Sequence, residues 1–181
     1  MRKFLFLPLL ALLASCGKNE DCDIVTPQPE DLVSPALYAT LSQSSTDPYN
    51  GPLEVLPCET NGSFYIGNYT AKGKQVPFPA YYLITNGIGK SQKYPLRLPV
   101  GTYNVIYWGY PDYFSTAGDA YLADPTLIIG KKLNTTSLGL RKIPGDTVYY
   151  PIHSLVYGTQ NINIGKDDLQ AHLKHASAAL S

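Results

Sequence analysis

Two histidines near the end of the chain come nearest to a metal-binding pattern. His172 and His175 lie three residues apart in KDDLQAHLKHASAALS (166–181), and on a helix both could face the same way. A metal site needs at least a third ligand of similar placement, whereas Asp167 and Asp168 stand at the start of the segment. Because such pairs are common on solvated helix or strand faces, we predict no metal site.

The short motifs that mark a catalytic centre are missing from the sequence. There is no Gly-x-Ser-x-Gly and no phosphate-binding glycine-rich loop. His153, the remaining histidine, lies beside a predicted strand as a surface or hydrogen-bonding residue. Two carboxylates for glycoside hydrolysis could be brought together only by folding, and the acidic residues lie mostly in turns and near the N-terminus. We therefore predict a protein that is not an enzyme and uses no cofactor.

The first cysteine, Cys16, ends a segment that resembles the signal peptide of a bacterial lipoprotein. Residues 1–15 have a basic start and an apolar run too short to span a bilayer. Leu-Ala-Ser-Cys at positions 13–16 resembles the lipobox, whose cysteine is acylated and becomes the first residue of the mature chain. The alternative is an ordinary signal peptide followed by a chance cysteine. We expect acyl chains on Cys16 to hold the protein on the cell outer membrane.

Cys22 and Cys58 are the two other cysteines. Outside the cytoplasm two thiols commonly form a disulfide where geometry allows, and a Cys22–Cys58 bond would fasten the N-terminal tether to an early strand. The alternative is two separate, partly buried thiols. No Cys-x-x-Cys pair indicates redox or zinc chemistry.

Residues 16–35 form a polar tether rich in proline and acid. The acidic residues directly behind Cys16 resemble the export signal that Bacteroidetes lipoproteins carry for surface display, and an ordinary polar tether fits them equally well. Without residues 1–15 the chain keeps 12 basic and 14 acidic residues. Nucleic acid binding would require a basic stripe, so we expect no nucleic acid partner.

Residues 36–181 have the composition of one exported β-domain, which at this length buries about two-thirds of its surface. Runs of β-branched and aromatic residues alternate with turn sequences such as Asn86-Gly87. This pattern predicts an all-β protein, a sandwich or barrel. The predicted strands are 36–43, 53–58, 63–69, 80–85, 94–98, 102–109, 125–130, 146–151, 154–158 and 161–165. Segment 166–181 fits a helix by propensity and a strand by alternation, and its apolar end indicates a domain that is incomplete at its C-terminus.

The segment LRLPVGTYNVIYWGY (96–110) is a predicted strand that is apolar on both sides. A strand with one wet face alternates apolar and polar residues, but here both sides are apolar. Tyr103 and Tyr107 would point to one side and Trp108 to the other. The run is either a strand covered on both faces or a strand that carries a contact surface. We favour the first interpretation, in which these three rings lie in the core.

The loop after this strand carries exposed-type aromatic residues: Tyr110, Tyr113 and Phe114. Aromatic rings anchor protein interfaces and stack on sugars, so the loop is a possible contact surface; the alternative is ordinary loop aromatics. Asp146-Thr147-Val148 resembles the O-glycan acceptor triplet of Bacteroidetes, which makes Thr147 a candidate, although a triplet this short also occurs by chance.

Several of these segments together resemble the FimB-type family of Bacteroidetes fimbrial anchor lipoproteins. The resemblance lies in the lipobox, the acidic tether, Leu98-Pro99-x-Gly101-x-Tyr103 with the apolar strand to Trp108-Gly109, and the later HSLVYG and LQAHLKHASAAL. It implies a transthyretin-like antiparallel β-sandwich of Greek-key type. Anchors of this family usually have a second β-sandwich domain, so the expectation is a single-domain or truncated relative.

The resemblance also implies a function. We expect a surface-exposed lipoprotein that helps to anchor or assemble a fimbria, with fimbrial subunits as partners. Its implied mechanism is strand addition, in which a partner's extended segment completes an open sheet edge. The alternative is a surface glycan-binding lipoprotein that uses the loop Tyr110, Tyr113 and Phe114.

Overall fold

The computed structural model describes residues 27–41, 47–60, 64–92, 94–109, 127–133, 145–147 and 155–176, with the backbone alone of residues 122–123 and 139–140. A short 3-10 helix spans Pro29–Asp31. All the other named elements are strands, which confirms the prediction of an all-β protein. They are β1 Leu32–Val33, β2 Leu37–Leu41, β3 Asp47–Pro48, β4 Gly51–Glu59, β5 Asn68–Tyr69, β6 Gln75–Val76, β7 Ala80–Thr85, β8 Ile88–Ser91, β9 Leu98–Pro99, β10 Gly101–Gly109, β11 Leu122–Ala123, β12 Gly139–Leu140, β13 Val156–Ile164 and β14 Leu169–His175.

The main sheet closes on itself. Its strand order is β14-β13-β10-β4-β7-β8-β2-β3, and β14 also pairs with β2, so seven strands form a ring with β3 beside it. The β14–β2 pairing is parallel, whereas the other pairings in the sheet are antiparallel. The transthyretin-like sandwich is not confirmed, because this pairing unites the strands in one closed sheet.

The core lies inside the ring because alternate residues of every ring strand point inward. In β7, for example, Ala80, Tyr82 and Ile84 are buried and the residues between them are more exposed. The same alternation in β14 buries Leu169, Ala171 and Leu173, which settles the ambiguous C-terminal segment as a strand over these residues. The described inward residues form one cluster, completed by contributions from β2, β4, β10 and β13 and by Leu96 and Leu98.

β4 is buried on both faces, whereas β10 is not. On the outer face of β4, Leu56 and Cys58 are fully buried together with Tyr65, which is bridged to Cys58. On β10 the inward Val105 and Tyr107 are buried, but the outward residues are only partly so. Trp108 therefore lies half-buried on the outer face, not in the core. The prediction placed it wrongly because apolar character on both sides of a strand does not require cover on both sides.

The hairpin between β7 and β8 follows directly from its turn residues. Asn86 has φ 50° and Gly87 has φ 76°, the left-handed conformations that a two-residue type I′ turn requires at both positions. β8 begins at Ile88, immediately after the turn, and pairs with β7 over four residues. This short strand was not predicted from the sequence, since IGKS has little β-branched or aromatic character.

Other predicted strands differ from the structure. The described part of 125–130, residues 127–130, forms a turn in which Ile128 and Ile129 are partly exposed. The segments 154–158 and 161–165 are one continuous strand, β13, because Gly158 lies within the ladder instead of ending it. Of 146–151, residues 146 and 147 are not in a strand and the rest lies outside the described residues.

Candidate functional site

The joints of the closed sheet differ greatly in length. Nine residue pairs join β10 to β13, seven join β10 to β4, and five join β14 to β2. By contrast, a single pair, Tyr38 with Ile88, joins β2 to β8. We call this contact the β2–β8 joint. Among the described strands it is the pairing in the ring with the fewest residue pairs.

Both residues of the β2–β8 joint are exposed. Tyr38 retains 40% of its accessible surface and Ile88 retains 55%. The neighbouring backbone amide of Ala39 donates to the carbonyl of Gly87 over 2.9 Å, which places the joint beside the β7–β8 turn. β3 covers the adjacent edge of β2 by pairing with Thr40 and Leu41. The joint is therefore accessible from solvent and bounded on one side by a two-residue strand.

A second short joint lies between β13 and β14. Only Val156–His175 and Tyr157–Lys174 are paired, and beyond them the side chain of Gln160 replaces main-chain contacts. Its Oε1 accepts a hydrogen bond from the backbone amide of Gln170 at 2.9 Å. At this joint, which we call the β13–β14 corner, the side chain of Gln160 thus gives a backbone amide of β14 a hydrogen-bond partner.

A row of side chains crosses the outer face of the sheet from β7 to β14. The register places Tyr81 opposite Glu54, Glu54 opposite Trp108, Trp108 opposite Tyr157 and Tyr157 opposite Lys174. We call these five residues the aromatic row. Nε1 of Trp108 donates a hydrogen bond to Oε2 of Glu54. Sequence reasoning missed the row, because its members come from five strands and meet only through the register.

The described cysteine is a buried thiol. Cys58 is free, and burial, with a smaller contribution from the charge of Glu59, raises its pKa to about 12. A thiol in this state is a poor nucleophile at neutral pH. Cys22 lies outside the described residues, so the Cys22–Cys58 bond stays a prediction, as does lipidation of Cys16.

The two histidines at spacing i, i+3 point to opposite sides, because they lie on a strand and not on a helix. Nδ1 of His172 is 3.0 Å from Oγ1 of Thr40 across the β14–β2 pair. The nearby carboxylates have structural partners: Asp168 accepts from the amide of Ala36 and Asp167 from the amide of Asn163. Among the described residues no group of three or more His, Cys, Asp or Glu side chains is placed to hold a metal ion.

Two other predicted sites can be placed only in part. Thr147 is exposed, and its amide donates to Oδ1 of Asp146 over 2.6 Å, so the side chain is accessible but its glycosylation stays a prediction. The predicted contact loop, Tyr110, Tyr113 and Phe114, lies outside the described residues. In the part of the chain that the structure describes, no helix is long and apolar enough to cross a membrane.

A shallow cleft lies where the N-terminal segment meets the end of the sheet. It has a volume of about 580 Å³, and its walls include Tyr69, Val100 and the carboxylates of Glu30 and Asp31. Oδ2 of Asp31 accepts from the amide of Gln28 at 3.2 Å, which gives this carboxylate a capping role. The cleft is open to solvent.

Comparison with known proteins gives one match. Residues 25–181 match the family model described as fimbrillin-A associated anchor proteins Mfa1 and Mfa2. No curated protein and no solved structure matches the chain. The match extends from the tether to the last residue and includes all the described strands.

Proposed function

The chain belongs to the family of fimbrillin-A associated anchor proteins, and from this premise we propose that it is a surface lipoprotein that anchors or assembles a fimbria by β-strand addition. The match over residues 25–181 is the observation that carries the proposal. Membership connects the chain with fimbrial anchoring, and the lipobox at Cys16 supplies the means of attachment to the outer membrane.

Strand addition needs backbone groups that an incoming segment can pair with. Each of the seven ring strands has a neighbour on both sides, so within the ring we expect a partner's strand to enter where the pairing of two neighbours is shortest. The β2–β8 joint supports this role because one residue pair holds it and both side chains are exposed. An extended segment that pairs with β8 there gains a full ladder and displaces little. In this proposal, opening of the β2–β8 joint takes the place of the open edge expected from the sequence.

The proposal is tested by crosslinking the protein in its native envelope, capturing it and identifying its partners by mass spectrometry. We expect fimbrial subunits in detergent-resistant ladders. A Cys16→Ser variant is the matched control: it should lose retention in the outer membrane while its β-domain folds normally. Capture of the protein alone, or only with polysaccharide-uptake components, would contradict the fimbrial role.

A further inference from the structure

The ring of seven strands has two ends, and the N-terminal segment meets it at one of them. β1 pairs with β9, which directly precedes β10. Pro27 lines the shallow cleft together with Val100, and a Cβ on Gly165 would lie 3.1 Å from Cγ2 of Val100. Gly101, the first residue of β10, is opposite Ile164, the last residue of β13. We call this end of the ring, where β10 begins, the tether end.

The β2–β8 joint lies towards the opposite end of the ring. β10 finishes at Gly109, where a Cβ would lie 2.7 Å from the hydroxyl of Tyr49. The carbonyl of Tyr49 accepts from the amide of Gly87 over 3.0 Å, and Gly87 belongs to the turn that leads into β8. The register agrees, because Gly51 at the start of β4 is opposite Ile84, two residues before this turn. We call this end of the ring the turn end.

The length of β10 separates the two ends. At about 3.3 Å per residue, the strand Gly101–Gly109 extends about 26 Å. Eleven residues lead from Cys16 to Pro27, and a chain of that length reaches at most about 40 Å. To bring the turn end to the bilayer, the tether would have to run back past the whole of β10, which takes about two-thirds of that reach. Acyl chains on Cys16 therefore favour an orientation with the tether end towards the membrane.

We propose that the turn end is the surface that receives a fimbrial subunit, while the tether end faces the membrane. The inference rests on the proposed function, since it needs both the acyl anchor and a fimbrial partner. Tyr38 and Ile88 retain 40% and 55% of their accessible surface, and they lie near the exposed strand β3. The partner that fits is an extended segment that approaches from the side away from the bilayer and places an apolar side chain against this pair, which removes apolar surface from water.

The experiment places one accessible thiol at each end of the full lipoprotein. Thr85→Cys lies at the turn end, opposite Ile88, and Val100→Cys lies at the tether end as its matched control; both positions are exposed. Each variant carries Cys22→Ser, and Cys58 is buried. The protein is added to preformed vesicles of phosphatidylethanolamine and phosphatidylglycerol. A donor dye on the thiol reports distance by energy transfer to an acceptor dye on the lipid headgroups. We expect stronger transfer from position 100 than from position 85.

The same thiols test the partner surface. A large polyethylene glycol maleimide replaces the dye, fimbrial subunits are added to the vesicles, and detergent-resistant ladders are scored. We expect loss of ladders with the polymer at position 85 and normal ladders with the polymer at position 100. Equal or reversed energy transfer would overturn the orientation, and ladders that survive the polymer at position 85 would overturn the partner surface. If the unlabelled lipoprotein forms no ladders, the proposed function itself fails, and the partner surface fails with it.

Discussion

The hydroxyl of Tyr107 donates a 2.6 Å hydrogen bond to Oε1 of Gln160, from a ring that has no exposed surface. The same oxygen accepts from the amide of Gln170. One side chain therefore accepts hydrogen bonds from a buried hydroxyl on β10 and from a backbone amide on β14. It holds the corner between β13 and β14 where main-chain pairing is short.

Replacing Gln160 should lower the free energy of unfolding, because this side chain connects β10, β13 and β14. Gln160→Ala leaves the hydroxyl of Tyr107 without its acceptor, and an unsatisfied buried group costs about 1–3 kcal/mol in the free energy of unfolding. Tyr107→Phe removes the donor as well and, added to Gln160→Ala, should restore part of the loss. Urea denaturation of the two single variants and the double variant measures this coupling. As a control, Gln92→Ala on the surface should change the free energy of unfolding by less than about 0.5 kcal/mol. If the effects of Gln160→Ala and Tyr107→Phe are strictly additive in the double variant, the two side chains are not coupled.

Gly109 ends β10 against a crowded wall. A Cβ there would lie 2.3 Å from the carbonyl oxygen of Pro52 and 2.7 Å from the hydroxyl of Tyr49, whose own hydrogen bond goes to that carbonyl. We expect Gly109→Ala to destabilise the fold by about 1–3 kcal/mol, as overpacking does. Gly101→Ala at the other end of the strand is the control, because its nearest neighbour would be Tyr103 at 3.4 Å. Thermal unfolding of both variants measures the difference in stability. Equal melting temperatures for Gly109→Ala and Gly101→Ala would refute the close contact of Gly109 with Pro52 and Tyr49.

The buried thiol predicts a reactivity and a pH dependence. With a Cys22→Ser background, Cys58 should resist thiol reagents in the native protein at pH 8 and react at once in denaturant. Its pKa is about 12 when folded against 9.0 as an ordinary thiol, so the unfolded chain ionises first as the pH rises. The contribution of the buried, neutral thiol of Cys58 to the free energy of unfolding is therefore complete below pH 9 and is lost between about pH 9 and 12. Fast native labelling at pH 8 would contradict burial of this thiol.

The β2–β8 joint can be locked to test strand addition. Residues directly opposite on antiparallel strands have Cα atoms about 4.5–5.5 Å apart, a separation that a disulfide spans. Oxidised Tyr38→Cys/Ile88→Cys should therefore block formation of fimbrial ladders, and reduction should restore them. The control lock is Thr102→Cys/Asn163→Cys, across a joint already held by nine pairs, which should leave assembly unchanged. If the oxidised Tyr38→Cys/Ile88→Cys variant forms normal fimbrial ladders, strand addition does not use the β2–β8 joint.

Local chemistry predicted some strands well. β7 was predicted at its observed bounds, 80–85, because alternation and the Asn86-Gly87 turn indicate the same hairpin. β10 was predicted to within one residue. The resemblance in Leu98, Pro99, Gly101 and Tyr103 also led to the right family. In the structure these residues lie where β9 leads into β10, and the hydroxyl of Tyr103 donates to the carbonyl of Pro99.

Features that depend on distant pairing could not be predicted. The parallel contact of Leu169 with Leu37 has no local signal, so ring closure was missed and a sandwich was expected. Ile128 and Ile129 have strand propensity, but residues 127–130 form a turn in which the amide of Gly130 donates to the carbonyl of Tyr65. The aromatic row was missed for the same reason, because register between strands, not spacing along one strand, brings its rings together.

The parallel pairing of β2 with β14 joins positions 132 residues apart, as the hydrogen bond between Ala36 and Asp168 measures. β2 is near the beginning of the predicted β-domain, so in synthesis from the N-terminus, and in the export that the proposed function implies, β2 precedes its partner by more than a hundred residues. Contacts of such sequence separation form slowly. Closure must wait until β14 has emerged. If the chain is exported as the proposed lipoprotein function implies, the ring can therefore close only after its last strand has crossed the membrane.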